Sequence, residues 1–424
     1  MKDTDKIINK LQMKQNIFLT GGAGVGKTTL TKQIIEYFEQ DAKKVAKLAS
    51  TGMAATLIGG QTLHSFLDLG ISANLDELEV NSKLDINKKV KKLIYSMDLI
   101  VIDEISMVSA SLFEMIDFRL NQALFNGAIL IVGDFLQLPP VEKSFNDICF
   151  AFESSSWKKQ DFQTIELTHI YRTDDKDFID LLNEVRFARI DENIHNKLNE
   201  YIKPLSEDLS QFTFLFGKNI TASRHNKKQL SYIDNDLFIK NAQIVKHKKN
   251  IKDMEIERFI NDARIEKELE LKVGVPVLFT RNAWNYFNGE RGIVVNVEDE
   301  YIFVQKTDGK IIKLEMVAQQ KTKWVEKNID GEKEMLEDEL FSVYQFPIKL
   351  AFAITIHKSQ GMSIEDLIIQ TNEIFAPSQF YVALSRSSNP KRLTLIAPKK
   401  QWSKLIFVNT KAFNFVVTKS NLLD

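Results

Sequence analysis

The stretch "NIFLTGGAGVGKTTLTKQIIEYFEQ", starting at Asn16, runs without a break from a short apolar segment through glycines into a helix-forming pattern. No other feature constrains the fold as much. A buried strand that turns directly into a helix needs backbone conformations that glycine adopts most easily. The pattern G-x-x-x-x-G-K-[ST] is met by Gly21, Gly26, Lys27 and Thr28, in the strand-to-helix setting that the motif requires. The backbone N–H groups over Gly22, Gly24, Val25 and Gly26 are then free to curl around a phosphate, and the helix N-terminus, through Thr28 and Thr29, adds its partial positive charge. Lys27 is expected to reach β- and γ-phosphates and the Thr28 hydroxyl to ligate Mg²⁺. ATP and Mg²⁺ are the ligands this predicts.

Three more apolar runs follow: "VAKLAS" (45–50), "DLIVIDE" (98–104) and "GAILIVGD" (127–134). Helix-forming patterns such as "SLFEMIDFRLNQAL" separate them. Strands alternating with helices predict a parallel sheet covered on both faces, with ligands at the C-terminal strand ends. Asp103 falls at such an end, where a carboxylate can hold a metal shell. Glu104 points elsewhere and can polarise a water. These motifs predict nucleotide hydrolysis and leave its use open.

A chain of 424 residues is too long for one ordinary core, so at least two domains are expected. The net charge of −1 provides no global basic field but leaves room for a local basic groove. Cys149 is the only cysteine, which excludes an internal disulfide and a cysteine-based zinc site and fits a reducing cytoplasm. It reads as a small buried residue beside Phe150. No apolar run approaches the roughly 20 residues that span a bilayer, so no membrane partner is expected, and the first residues do not read as a leader.

The first α/β lobe is expected over 1–66 and 98–168, interrupted at 67–97 by a charged insert whose end, "NKKVKKLIYS", reads as an amphipathic helix. "FTFLFG" (212–217), "DLIIQT" (366–371) and "RLTLIA" (392–397) predict a second α/β lobe over 169–236 and 344–424. Between them, 237–343 holds short strands separated by Gly, Asn and Asp, which suggests an inserted small β-barrel.

Further candidates sit beyond the phosphate loop. Gln137, in "GDFLQLPPV", is neutral and bifunctional and can sense a γ-phosphate. Arg172 in "LTHIYRT" and Arg386 in "QFYVALSRS" can reach that phosphate across a cleft between lobes, although a lone arginine is more often a surface residue.

Taken together and in order, "GGAGVGKTT", "STGMAATLIGGQTLHSF", "IDEISMVS", "GDFLQLPPV", "FESSSW", "LTHIYRT", "VGVPVLFTRN", "AITIHKSQGMSIED" and "YVALSRS" resemble the motif series of superfamily-one helicases. They resemble the petite-integration-frequency (PIF) family best, with RecD-like helicases close behind. The resemblance runs from Asn16 to about Pro398. It implies two RecA-like lobes with ATP between them, a wedge insert in the first, and a Src-homology-3-like barrel in the second. It also implies 5′→3′ translocation on single-stranded DNA, unwinding at single-strand/duplex junctions, and G-quadruplexes or RNA–DNA hybrids as further partners. Roles in DNA repair, recombination and telomere maintenance go with it, as do a monomeric state and a cytoplasmic, nucleoid-associated location. Lys27, Glu104, Gln137, Arg172 and Arg386 become the expected catalytic set, with Gly361 near the nucleotide. The family's adenine-reading glutamine lies well upstream of the loop, and Gln12 and Gln15 sit too close to match it.

For the DNA track, Thr51, Thr62, His64 and Ser65 supply small donors to phosphates in the first lobe. In the second lobe "FAITIHKSQGMS" (352–363) offers Thr355, His357, Lys358 and Ser359; if 351–359 is helical, Thr355, Lys358 and Ser359 share a face. A metal site or nucleophile is not expected there, since His357 and Ser359 lack the necessary partners. The clusters "KKVKK" (88–92) and "KHKK" (246–249) read equally as DNA grips or solvated faces. Trp284, Tyr286 and Phe287 read as base-stacking residues or barrel core. A non-motor ATPase and an inactive single-strand clamp are the competing readings; the first leaves "HKSQG" and "ALSR" unexplained, the second the intact phosphate loop.

Overall fold

The computed structural model describes residues 2–420 apart from 71, 142–146, 206–208, 210–211, 264, 282, 287–289 and 330–331. The first lobe is built on β1 (Ile17–Gly21), β2 (Val45–Ala49), β3 (Gln61–Thr62), β4 (Leu99–Asp103), β5 (Ala128–Val132) and β6 (Gln163–Leu167), all parallel, in the order β3-β2-β4-β5-β1-β6. β1, β4 and β5 are buried at every position, which is why they read as continuous apolar runs. Their side chains alternate between two cores. Phe18, Ile100, Ile102, Ile129 and Ile131 face one; Ile17, Leu19, Leu99, Val101, Leu130 and Val132 face the other. The short edge strands β3 and β6 carry no such run and were not expected.

The wedge insert contributes the short helices Leu75–Val80 and Lys88–Tyr95. Leu69, Leu78, Leu93 and Ile94 extend the first core. Buried Arg119 pins the insert, donating to the carbonyls of Leu67 (3.2 Å), Leu84 (2.9 Å) and Lys83.

The sheet of the second lobe begins at β7 (Thr213–Phe216), after the helix Lys176–Arg186, whose Phe178, Leu181 and Val185 join the same core as Leu215 of that strand. The inserted region follows with β8 (Phe238–Asn241), β9 (Gln243–Lys246), β10 (Glu268–Leu271), β11 (Pro276–Phe279), β12 (Arg291–Val297), β13 (Ile302–Lys306), β14 (Ile311–Leu314), β15 (Val317–Ile329), β16 (Glu332–Gln345) and β17 (Ile348–Leu350). β18 (Ala353–Thr355), β19 (Leu367–Ile369) and β20 (Leu393–Leu395) then complete a parallel sheet ordered β18-β7-β19-β20. In the inserted region an antiparallel sheet, β14-β13-β12-β11-β17, wraps a separate core around Val277, Phe279, Val294 and Val304. The long hairpin β15–β16, flanked by β9, projects from it.

Three local expectations change. Residues 351–359 are not helical: β18 is followed by a single 3₁₀ turn, His357–Ser359. Cys149 is exposed, because Ile148 and Phe150 on either side turn inward and alternation sends it out. The last helix, Thr410–Ser420, packs on the first core, with Phe415 stacked on Phe152 at 4.1 Å and Lys411 paired with Glu153 at 2.7 Å. The "FESSSW" aromatics Phe152 and Trp157 are thus buried packing groups around Phe18, Phe135 and Phe415. No helix among the described residues is long and apolar enough to cross a membrane.

Candidate active site

The loop after β1 leads into the helix Lys27–Gln40, whose N-cap, Gly26, is left-handed at φ 84°. Gly24 is also left-handed, at φ 82°, and a Cβ there would lie 2.9 Å from the Arg172 Cβ, so glycine is what lets the second lobe come this close. Lys27 donates to the loop's own carbonyls, Gly21 O at 2.7 Å and Gly22 O at 2.8 Å. Burial pulls its pKa down to about 8, against the pull of Asp134, Glu104 and Asp103. Thr28 and Thr29 are exposed on the first helical turn, and Val25 is buried beneath the loop.

Asp103 ends β4, buried, and accepts from the Glu104 N–H at 2.8 Å. Burial raises its pKa. Glu104 occupies the left-handed region at φ 55°, a strained position for a side-chain-bearing residue. Burial, then the Asp103 charge, pushes its carboxyl up to about 7. Gln137 is buried after β5.

Arg172 and Arg386 converge on this cleft. Arg172 donates to Ser363 Oγ (3.0 Å) and Ser385 O (2.6 Å); Arg386 donates to Val382 O (2.9 Å), Ser385 Oγ (2.9 Å) and Ser359 O (3.3 Å). Burial lowers Arg172 to about 10. Burial and the neighbouring Arg172 charge lower Arg386 to about 9. Among the described residues, neither arginine nor Lys27 is within salt-bridge distance of a carboxylate. Three cations, Arg386 buried and Lys27 and Arg172 partly so, hydrogen-bonded only to neutral groups, form a receptor for a polyanion.

The residues expected to form a DNA track divide. Thr62 caps a short helix, its Oγ1 accepting from the Ser65 N–H at 3.3 Å, and the Thr51 hydroxyl accepts from Ala54 N–H at 3.2 Å. His64 is half-buried; burial lowers its pKa against a backbone hydrogen bond with Ser72. The inserted region covers this part: Lys321 donates to Ser65 Oγ at 2.7 Å, Gln61 to Thr322 Oγ1 at 3.1 Å, and Asp262 O presses on Gly52. On the second lobe, Thr355 and Lys358 line a cleft of about 620 Å³ with Asn219, Ser223, Asn226 and Lys227. Ser359 is fully buried and donates to Ile356 O at 2.7 Å, so its hydroxyl does not face that cleft. The expected common face of Thr355, Lys358 and Ser359 therefore does not form, because a strand and a 3₁₀ turn replace the helix. Lys246 and Lys248 pair with Asp253 and Asp338, both at 2.8 Å. Tyr286 is core, stacked on Phe279, while Trp284 is 94% exposed and Phe287 lies outside the described residues.

Residues 2–196 match the model of the PIF1-like helicase family. The ATP-dependent DNA helicase Pif1 of Campylobacter jejuni is 40% identical over 440 residues, covering 98% of this chain and 97% of that one. The chain belongs to the PIF1-like helicase family. Bacteroides sp. Pif1 in complex with ADP-AlF4 superposes with a TM-score of 0.84 at 29% identity, covering 99% of this chain and 97% of that one, and the fold is accordingly the two-lobe RecA-like α/β arrangement. Bacteroides Pif1 bound to ssDNA superposes at 0.66, with 28% identity and the same coverage.

Several residues of this PIF1-like cleft escaped the sequence reading. Arg186, on the helix Lys176–Arg186, makes a buried bidentate pair with Asp134 at 3.1 and 3.0 Å and approaches Glu166 at 3.5 Å. Burial opposes the Arg186 charge, but Asp134 overrides it and the pKa rises. Tyr381 accepts from the Ala23 N–H at 2.7 Å, and burial raises it to about 12. Tyr171, 72% exposed, lies against Gly26, an aromatic face beside the phosphate loop. Gln360 donates to Glu104 Oε2 at 3.0 Å. Only adjacency to Arg172, Asp134 and "HKSQG" hinted at these residues.

Proposed function

We propose that this chain is an ATP-dependent DNA helicase that moves 5′→3′ along single-stranded DNA and unwinds duplex at junctions. The observation that carries the proposal is the convergence of Lys27, Arg172 and Arg386, none of them at salt-bridge distance from a carboxylate among the described residues, beside the part-buried Glu104. Lys27 and the loop N–H groups bind the β- and γ-phosphates. Arg172 and Arg386, contributed by the second lobe, meet charge developing on the γ-phosphate, so turnover is tied to lobe closure. Glu104 orients the attacking water and accepts its proton. Gln137 senses the γ-phosphate, and Tyr171 offers a surface for the base.

Asp103 and Thr28 suit Mg²⁺. Asp103 is a buried carboxylate with no cation at salt-bridge distance among the described residues, although the Lys27 and Lys32 charges act on it from farther away, so it is available to an ion held partly by the nucleotide's own phosphates. When bound, the ion would supply charge neutralisation on the phosphates.

The strand would cross Thr51, Thr62, His64 and Ser65 on one lobe and Thr355, His357 and Lys358 on the other. Duplexes with 5′ or 3′ single-stranded tails test this. ATP-dependent unwinding of the 5′-tailed duplex alone is expected, abolished by Lys27→Ala. Unwinding that prefers the 3′ tail overturns the polarity. ATPase activity indifferent to single-stranded DNA points to a non-motor ATPase instead.

A further inference from the structure

The segment 359–363 touches three of the groups assigned to γ-phosphate chemistry, Arg386, Arg172 and Glu104. Arg386 donates to Ser359 O at 3.3 Å and reaches Met362 O at 3.5 Å, bracketing Gln360. Arg172 donates to Ser363 Oγ at 3.0 Å. Gln360 itself crosses the cleft to Glu104 at 3.0 Å, the one side-chain hydrogen bond that Glu104 makes among the described residues. The segment is held tightly against the first lobe: Gly361 is left-handed at φ 79°, and a Cβ there would meet Leu57 Cδ1 at 3.3 Å. Immediately before it stand His357 and Lys358, on the 3₁₀ turn that borders the second-lobe cleft.

We propose that Gln360 is the positioning residue for Glu104, aiming its carboxylate and linking that aim to the position of the second-lobe DNA contacts. The chemistry suits the task. A neutral amide donor fixes the direction of a carboxylate and weakens it as a base much less than the charge of a lysine or arginine would. The same amide keeps an acceptor for a water beside the carboxylate. Because residues 357–360 are consecutive, a strand that shifts the turn also shifts the amide, and the base is re-aimed in the same movement. This rests on the reading of Glu104 as base given under "Proposed function".

Gln360→Met keeps length and flexibility and removes the hydrogen bond. With saturating oligo(dT), its kcat for ATP should fall roughly 10- to 100-fold, the range expected when a reacting group is misdirected. KM for ATP and Kd for oligo(dT) should stay within about threefold, and the thermal unfolding midpoint should match that of the unaltered protein, since only one part-buried hydrogen bond is lost. In a Glu104→Gln background, single-turnover measurement should find no further loss from Gln360→Met, because the two act as a unit. Retained kcat, a parallel loss of KM and Kd, or an equal further loss in the Glu104→Gln background each overturns the proposal. If Glu104→Gln alone turns over normally, the assignment of the base fails before this one.

Discussion

Glu104 and Lys27 are poised so that small changes of pH matter. Burial lifts the Glu104 carboxyl to about 7 and brings the Lys27 ammonium to about 8. Below the first value Glu104 carries a proton and cannot serve as the proposed base. Above the second, the Lys27 charge proposed to hold the phosphates is lost. In the nucleotide-free enzyme kcat/KM reports these groups. A narrow bell, with limbs near 7 and 8, is therefore expected when kcat/KM for ATP is followed with saturating single-stranded DNA. An acid limb in the ordinary carboxylate range, about 4, would remove Glu104 from the role of base. The identity of both residues was readable, since a strand-ending "DE" and a glycine-framed lysine are local patterns. Their altered acidity was not, because it depends on how many distant side chains exclude water from them.

At the scale of elements, "FAITIHKSQGMS" is the instructive case. Its short apolar run fits a buried helix or a buried strand equally, and periodicity alone does not separate them. The parallel neighbour β7 decides, pairing Ala353 with Phe214 and Thr355 with Phe216. The turn that follows exposes a different set of groups from a helix. Lys358→Ala should raise the single-stranded DNA concentration for half-maximal ATPase stimulation roughly tenfold and lower the salt dependence of binding by about one unit. Ser359→Ala should change neither, because its hydroxyl already serves Ile356 O. Equal effects from both substitutions would restore the helical face as the track.

For the whole molecule the issue is what joins the lobes. Arg186 and Asp134, with side chains 6% and 0% exposed, form a buried ion pair between the second lobe's helix and the end of the first lobe's sheet. Removing one partner strands the other charge, so Arg186→Met should lower unfolding stability by about 3–5 kcal/mol in denaturant titration. Adding Asp134→Leu should recover most of that loss. A small loss for the single variant would mean that the last helix, clamped over Phe152, carries the connection instead. Lys321 contacts Ser65 and Thr322 contacts Gln61, so a DNA strand engaging Thr62 and Ser65, as proposed, would meet the β15–β16 hairpin there.

By itself the sequence determined whatever depends on near neighbours along the chain: the phosphate loop, the central apolar strands, the carboxylates at a strand end, and the order of motifs. Those features rest on local backbone preferences and on burial periods of a few residues. Tertiary structure alone decided which distant groups meet: Gln360 with Glu104, 256 positions apart, Arg186 with Asp134, 52 apart, and Tyr381 with the Ala23 N–H, 358 apart. Such contacts carry no local signature. An arginine or glutamine has the same backbone preference whether it faces solvent or a catalytic carboxylate, and only the packing of two complete lobes determines which it does.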